Sequence, residues 1–260
     1  MPITVGADVR QVDDGTYKQL VYSTMGHVFD VQRDLGRLMD ERIYQRELAF
    51  RVPDAQRGIP IEVRFESFSK TYYLDLLVAG AALFEVKAVE ALHARHRGQL
   101  LQDLFLTGLR HGKLVSMRTD RVEHEFVNAT ATRRDRVGFG VKEQGWEEAD
   151  GGDLKGRMTA LLRDWGAGLD VALYEEAAAH LCGHDDEDDV EIRSEDRLLG
   201  RQPMHMADAW IALRVTPLAP QRHASFAAHL RRLLAHASLD AIQWINVTRA
   251  DVCFRTVRSD

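Results

Sequence analysis

Between Tyr72 and Val89 lie two apolar segments, Tyr72-Tyr-Leu-Asp75-Leu-Leu-Val78 and Leu83-Phe-Glu85-Val-Lys87-Ala-Val89, each interrupted by one acidic residue. A charge on an apolar strand is unfavourable unless it is paired or binds a metal. Side chains alternate along a strand, so Glu85 and Lys87 share a face. If the connection is Ala79-Gly80-Ala81, Val78 pairs with Ala82 and Asp75 falls opposite Glu85, with their Cβ atoms roughly 5 Å apart. A two-residue loop would set Phe84 opposite Asp75 and disperse the group. The functional reading requires the three-residue register.

Two facing carboxylates repel, and a hard divalent cation is the usual remedy. Mg²⁺ prefers oxygen ligands and keeps several waters. Such an ion lowers the pKa of a bound water and neutralises charge building on a phosphoryl oxygen. Lys87 would hold the attacking water or stabilise the negative transition state. The spacing, Asp-x9-Glu-x-Lys, fits equally a structural Asp75–Lys87 ion pair beside a solvated Glu85. Spacing alone leaves both readings open.

Around these strands, helices are predicted over about residues 17–35 and 38–50. The second places Glu41, Tyr44 and Leu48 at i, i+3 and i+7 on one face. Strands are predicted over 61–66, 72–78, 83–89 and 113–117, with a helix over about 96–107. The order is α-α-β-β-β-α-β, a mixed α/β layout. Gly138, Gly140, Gly145, Gly151 and Gly152 predict a linker over 134–155.

The second half repeats the first at a nearly constant offset. A shift of 130 sets Gly36, Asp40, Tyr44 and Ala49 against Gly166, Asp170, Tyr174 and Ala179, and a shift of 129 sets Ile61-Glu-Val-Arg64 against Val190-Glu-Ile-Arg193. This predicts a duplicated α/β fold in two lobes, 1–133 and 156–260. Chance similarity of two α/β patterns is the alternative. Under the same shifts Glu41 maps to Val171, Glu85-Val-Lys87 to Arg214-Val-Thr216, and Gln99 to His229. The second lobe is expected to have kept its shape and lost its site.

Composition narrows the class. At 45% hydrophobic and 28% charged residues the chain can bury a core, and a net charge of −6 argues against a nucleic-acid coating protein but not against a nuclease. Basic residues concentrate at Arg95, Arg97, Arg110, Lys113, Arg133, Arg134 and Arg136. The longest apolar run, Leu76 to Phe84, is too short to span a bilayer, and the N-terminus does not read as a signal peptide. Two cysteines, Cys182 and Cys253, form no disulfide framework, so a cytoplasmic setting is expected. His180-Leu-Cys182-Gly-His184 lacks a second ligand pair for zinc. The Asp185–Asp189 run lacks calcium-loop spacing, and Met204-His-Met206 reads as packing.

The first half resembles the GxxExxY family, a branch of the PD-(D/E)XK nuclease superfamily. The resemblance rests on Leu35-Gly36, Glu41-Arg-Ile-Tyr44, Asp75-Leu-Leu-Val, Phe84-Glu85-Val-Lys87-Ala-Val, and Gln99-Leu-Leu through Leu106-Thr-Gly108. It implies a restriction-endonuclease-like mixed sheet flanked by helices. It further implies metal binding by Asp75 and Glu85, a catalytic Lys87, a first-helix Glu41 and a supporting Gln99. His96 and Arg97 stand just beyond the active strand, either as phosphate contacts or as a solvated helix start. Three positions depart from the pattern: Leu38 for the naming glycine, Asp103 for a tyrosine four residues after Gln99, and Leu74 for proline. The expected activity is Mg²⁺- or Mn²⁺-dependent hydrolysis of nucleic-acid phosphodiesters, with DNA as the expected substrate and RNA as the alternative. The alternatives are a non-catalytic nucleic-acid or protein-binding module and, if the triad were exposed and dispersed, an oligomerising regulator.

Overall fold

The computed structural model describes residues 2–149 and 151–259; position 150, in the stretch expected as a linker, and positions 1 and 260, in the expected lobes, lie outside the described residues. The chain divides into two compact units, one ending at Thr132 and the other starting at Arg133.

The first unit runs β1 (Ile3–Val5), α1 (Asp14–Leu35), α2 (Glu41–Arg51), β2 (Ala55–Phe65), β3 (Phe68–Val78), β4 (Ala82–Lys87), α3 (Ala94–Thr107), β5 (His111–Ser116) and β6 (Glu123–Asn128). Its six strands form one sheet in the order β1-β2-β3-β4-β5-β6. Only β4 and β5 are parallel; the other neighbours are antiparallel. A parallel pair cannot be joined by a tight turn, and α3 supplies the crossover.

Helix α1 starts where the Asp13 carboxylate accepts from the amides of Gly15 and Thr16, and ends at Gly36, whose φ of 70° is cheap only for glycine. Its buried Tyr17, Val21, Met25, Val28 and Val31 recur every three or four residues. With Tyr44 and Leu48 of α2 they cover Leu76, Val78, Ala82, Phe84 and Val86 on one face of the sheet. The alternate residues of β4 face the other way. There α3 closes on the sheet so tightly that a Cβ on Gly112 would sit 2.8 Å from Leu100 Cδ1.

The β3–β4 connection is Ala79-Gly80-Ala81, with Val78 paired to Ala82 and Leu76 to Phe84. Ala79 and Gly80 both have positive φ, 51° and 66°, and a Cβ on Gly80 would meet the Asp8 carbonyl oxygen at 2.5 Å. The backbone thus adopts the three-residue register.

The second unit runs α4 (Arg133–Val137), β7 (Gly140–Gln144), α5 (Leu154–Trp165), α6 (Val171–Leu181), β8 (Asp188–Ser194), β9 (Arg197–Met204), β10 (Met206–Asp208), β11 (Ile211–Thr216), α7 (His223–Leu234), β12 (Ala241–Val247) and β13 (Asp251–Arg258). Its main sheet is ordered β10-β11-β12-β13-β7, and β8 and β9 form a separate hairpin. Residues 134–155, expected as a linker, carry most of α4 and all of β7, and β7 pairs in parallel with β13. This strand escapes a pattern search because all five of its residues are exposed.

Element bounds in the two units match at offsets of 129 and 130. Both ends of α6 lie 130 residues beyond those of α2, and both ends of β11 lie 129 beyond those of β4. The parallel pairs Leu83–Gly112 and Lys87–Ser116 correspond to Ala212–Ile242 and Thr216–Asn246. Glu66 and Glu195, which open the β2–β3 and β8–β9 turns, have φ of 51° and 53°. The Tyr44 hydroxyl donates to Gly36 O (2.8 Å) and accepts from Met39 N; that of Tyr174 donates to Gly166 O (2.5 Å) and accepts from Leu169 N.

Candidate active site

The β3–β4 ladder stops at Leu76–Phe84, one step short of Asp75 and Glu85. At that point the Asp75 side chain takes over from the backbone, its Oδ2 accepting from the Val86 amide at 3.0 Å. The register and this bond bring Asp75 beside Glu85, and Lys87 follows two residues on along the same face.

The Lys87 ammonium is the hub. Nζ lies 2.5 Å from Glu85 Oε1, 3.4 Å from Glu41 Oε1 and 3.7 Å from Asp75 Oδ2. Glu85 is fully buried, so the reading of an Asp75–Lys87 pair beside a solvated Glu85 does not describe this site. Helix α2 begins at Glu41, which places this half-exposed carboxylate against the ammonium; Gln45 donates to it at 3.4 Å.

Burial and the Asp75 charge push the Glu85 carboxyl up to about 8, with Lys87 opposing. Burial raises Asp75 as well, opposed first by Lys87 and then by the Val86 amide. Burial alone would lower Lys87, but Glu85, Asp75 and Glu41 together carry it up to about 12. The lysine is a fixed cation at any working pH. Its one positive charge does not satisfy the carboxyl groups around it.

A further carboxyl, Asp103 on α3, joins them. It is 4% exposed, and its charge helps to raise Glu85. In the sequence Asp103 stands out only as a departure from a tyrosine. The available signal is an acidic residue at helical spacing from Leu100 and Leu106, which are buried, and such a residue needs a reason to be buried.

The remaining expected residues stand apart. Gln99 is exposed on α3. His96 is buried, and its Nδ1 accepts from the His93 amide at 3.1 Å, which closes the first turn of α3 rather than leaving the ring free for phosphate. Arg97 is half-exposed and paired with Glu125 of β6 at 2.7 Å. Lys113 is 2% exposed, its Nζ 3.0 Å from His124 Nδ1 and 3.7 Å from the centre of the Phe126 ring. Arg133, Arg134 and Arg136 belong to the second unit, and Arg136 is buried.

Arg214 and Thr216, 129 residues beyond Glu85 and Lys87 in the sequence, lie on β11 of the second unit. Arg214 lies 3.5 Å from Glu175 of α6, and Glu175 also accepts from the Val215 amide. The Thr216 hydroxyl donates to Asn246 Oδ1 at 2.8 Å. These two residues thus make an ion pair and a neutral hydrogen bond.

Residues 18–129 match the family model of the PD-(D/E)XK nuclease superfamily. The matched segment runs from α1 to the end of β6 and contains Glu41, Asp75, Glu85, Lys87 and Asp103. No curated protein and no solved structure matches the chain.

Nucleases of this superfamily use divalent metal ions, and the chemistry of the site fits one. Asp75 and Glu85 offer hard oxygen donors, and Glu85 Oε2 is buried without a hydrogen-bond partner. Among the described residues no three His, Cys, Asp or Glu side chains converge closely enough to hold an ion by themselves. Two carboxylates and several waters is the usual pattern for Mg²⁺. No helix among the described residues is long and apolar enough to cross a membrane.

Proposed function

We propose that the first unit is a Mg²⁺- or Mn²⁺-dependent nuclease of the GxxExxY branch, hydrolysing phosphodiester bonds in DNA. The observation that carries this reading is the Lys87 ammonium among Asp75, Glu85 and Glu41 at the end of the β3–β4 ladder, inside the segment that matches the nuclease superfamily. Asp75 and Glu85 would hold the ion. When bound, such an ion lowers the pKa of water and neutralises charge on a phosphoryl oxygen.

The protein's own groups do the rest. Lys87 keeps its proton, so it serves as a hydrogen-bond donor and positive charge for the attacking water or the phosphate oxygen, not as a base. Glu41 aims the ammonium from the solvent side. Glu85, beneath the surface, works where water is excluded and electrostatic interactions are strong. The choice of DNA rests on the family resemblance, and a cytoplasmic setting rests on the unpaired Cys182 and Cys253.

The second unit fits a copy of the first that keeps the scaffold without the chemistry. The shared element bounds, the paired Glu66 and Glu195 turns and the paired Tyr44 and Tyr174 bonds support this. Residues 133–153 are then an addition in front of the copy.

The test is incubation of the whole protein with labelled single- and double-stranded DNA and RNA, in Mg²⁺, Mn²⁺ or EDTA. Cutting of DNA that stops in EDTA is the expected result. Intact substrate in every lane, from folded protein that still binds DNA, would replace the enzyme by a binding module. Cutting of RNA alone would overturn the substrate assignment.

A further inference from the structure

Asp103 is a buried acidic residue with one carboxyl oxygen left unpaired. The residue is 4% exposed, yet Oδ2 has no hydrogen-bond partner. Leaving such a group unsatisfied costs about 1–3 kcal/mol, more when it is charged. Packing alone would favour an apolar side chain here. Helix α3 packs on the sheet face that carries Glu85 and Lys87, and its buried Asp103 lies within electrostatic reach of Asp75, Glu85 and Lys87. A carboxylate oxygen accepts and cannot donate. What is missing at Asp103 Oδ2 is therefore a donor or a cation.

Resting on the metal-dependent reading of the same site, we infer that Asp103 is a third carboxylate of the metal centre. It is a positioning residue that accepts hydrogen bonds from water ligands of the ion held by Asp75 and Glu85. The contact runs through water because no three such side chains converge directly on one point among the described residues. Ion-bound water is a strong donor, and Mg²⁺ and its substitutes keep several. Outer-shell partners of this kind typically contribute 10–100-fold in metal affinity.

The experiment is calorimetric titration of the full-length protein with MnCl₂. Wild type, Asp103→Asn, Asp103→Glu and Glu85→Gln are compared, and the melting temperature of each is taken in EDTA. Asp103→Asn is expected to bind Mn²⁺ about 10–100-fold more weakly, with Asp103→Glu recovering most of the loss. The metal-free melting temperature of Asp103→Asn should stay level or rise, since a buried unsatisfied charge has gone. Unchanged Mn²⁺ affinity in Asp103→Asn, while Glu85→Gln loses binding, would overturn the role of Asp103 and leave the metal site standing. A loss of affinity that only follows a fall in metal-free melting temperature would likewise reduce Asp103 to a structural residue. A wild type that takes up no Mn²⁺ would overturn the metal-dependent reading itself, and this inference with it.

Discussion

In metal-free protein, Glu85→Gln should stabilise the first unit, and do so only at neutral and alkaline pH. Glu85 is raised from an ordinary 4.5 to about 8 in the folded chain. A carboxyl with a raised pKa binds its proton more tightly folded than unfolded. Its favourable contribution is complete below pH 4.5 and is lost progressively as pH climbs towards 8. At about 1.36 kcal/mol per pH unit, the interval sets a ceiling of about 5 kcal/mol on that loss. Glutamine carries no charge and escapes it.

The assay must report on the correct unit. All four tryptophans (Trp146, Trp165, Trp210 and Trp244) lie beyond Arg133, so fluorescence follows the second unit. Amide hydrogen exchange resolved by peptide separates the two. In EDTA at pH 8, peptides from β3, β4 and α3 should gain about 100-fold or more in protection in the variant, equivalent to about 3 kcal/mol. At pH 5 the variant and wild type should differ little, and peptides from β11, β12 and β13 should not change at either pH. Equal or lower protection of β4 in the variant at pH 8 would refute the argument that Glu85 is strained by burial beside Asp75.

Other consequences follow from the same contacts. Lys87→Ala removes the one ammonium from among the carboxyls and should cost the metal-free first unit about 3–5 kcal/mol, read by the same exchange measurement. Tyr44→Phe and Tyr174→Phe each leave a backbone carbonyl and amide without their partner, and each should lower the stability of its own unit by about 1–3 kcal/mol in urea denaturation. Gly80→Ala forces a Cβ against the Asp8 carbonyl at a positive φ, and should cost more than about 1 kcal/mol in thermal melts. Mg²⁺ at about 100 times its Kd should raise first-unit stability by about 2.7 kcal/mol, and the second unit should not respond.

The register of one hairpin made the centre of the site legible. Asp75, Glu85 and Lys87 lie within thirteen residues of sequence, and alternation along two strands was enough to bring them together. Glu41 was reachable through its helix face and through the family resemblance. Asp103 was not, because its significance depends on α3 folding back over β4, a contact that local periodicity does not encode. Of the two readings open for His96, phosphate contact or helix start, the ring closes the first turn of α3. In the first unit the expected bounds lie within four residues of the observed ones, except that β2 starts six residues earlier. The strands absent from the expected order include the three-residue β1, the charged edge strand β6 and the fully exposed β7, which are held by distant partners rather than by their own composition.

The most direct test of the account is single-turnover cleavage of the preferred DNA substrate by wild type, Lys87→Ala and Arg214→Ala, prepared identically and assayed with Mg²⁺ and with EDTA. The account predicts metal-dependent cutting by wild type and by Arg214→Ala, and none above background by Lys87→Ala. Equal cutting by Lys87→Ala and wild type would contradict it, since the chemistry would then lie outside the Asp75–Glu85–Lys87 site.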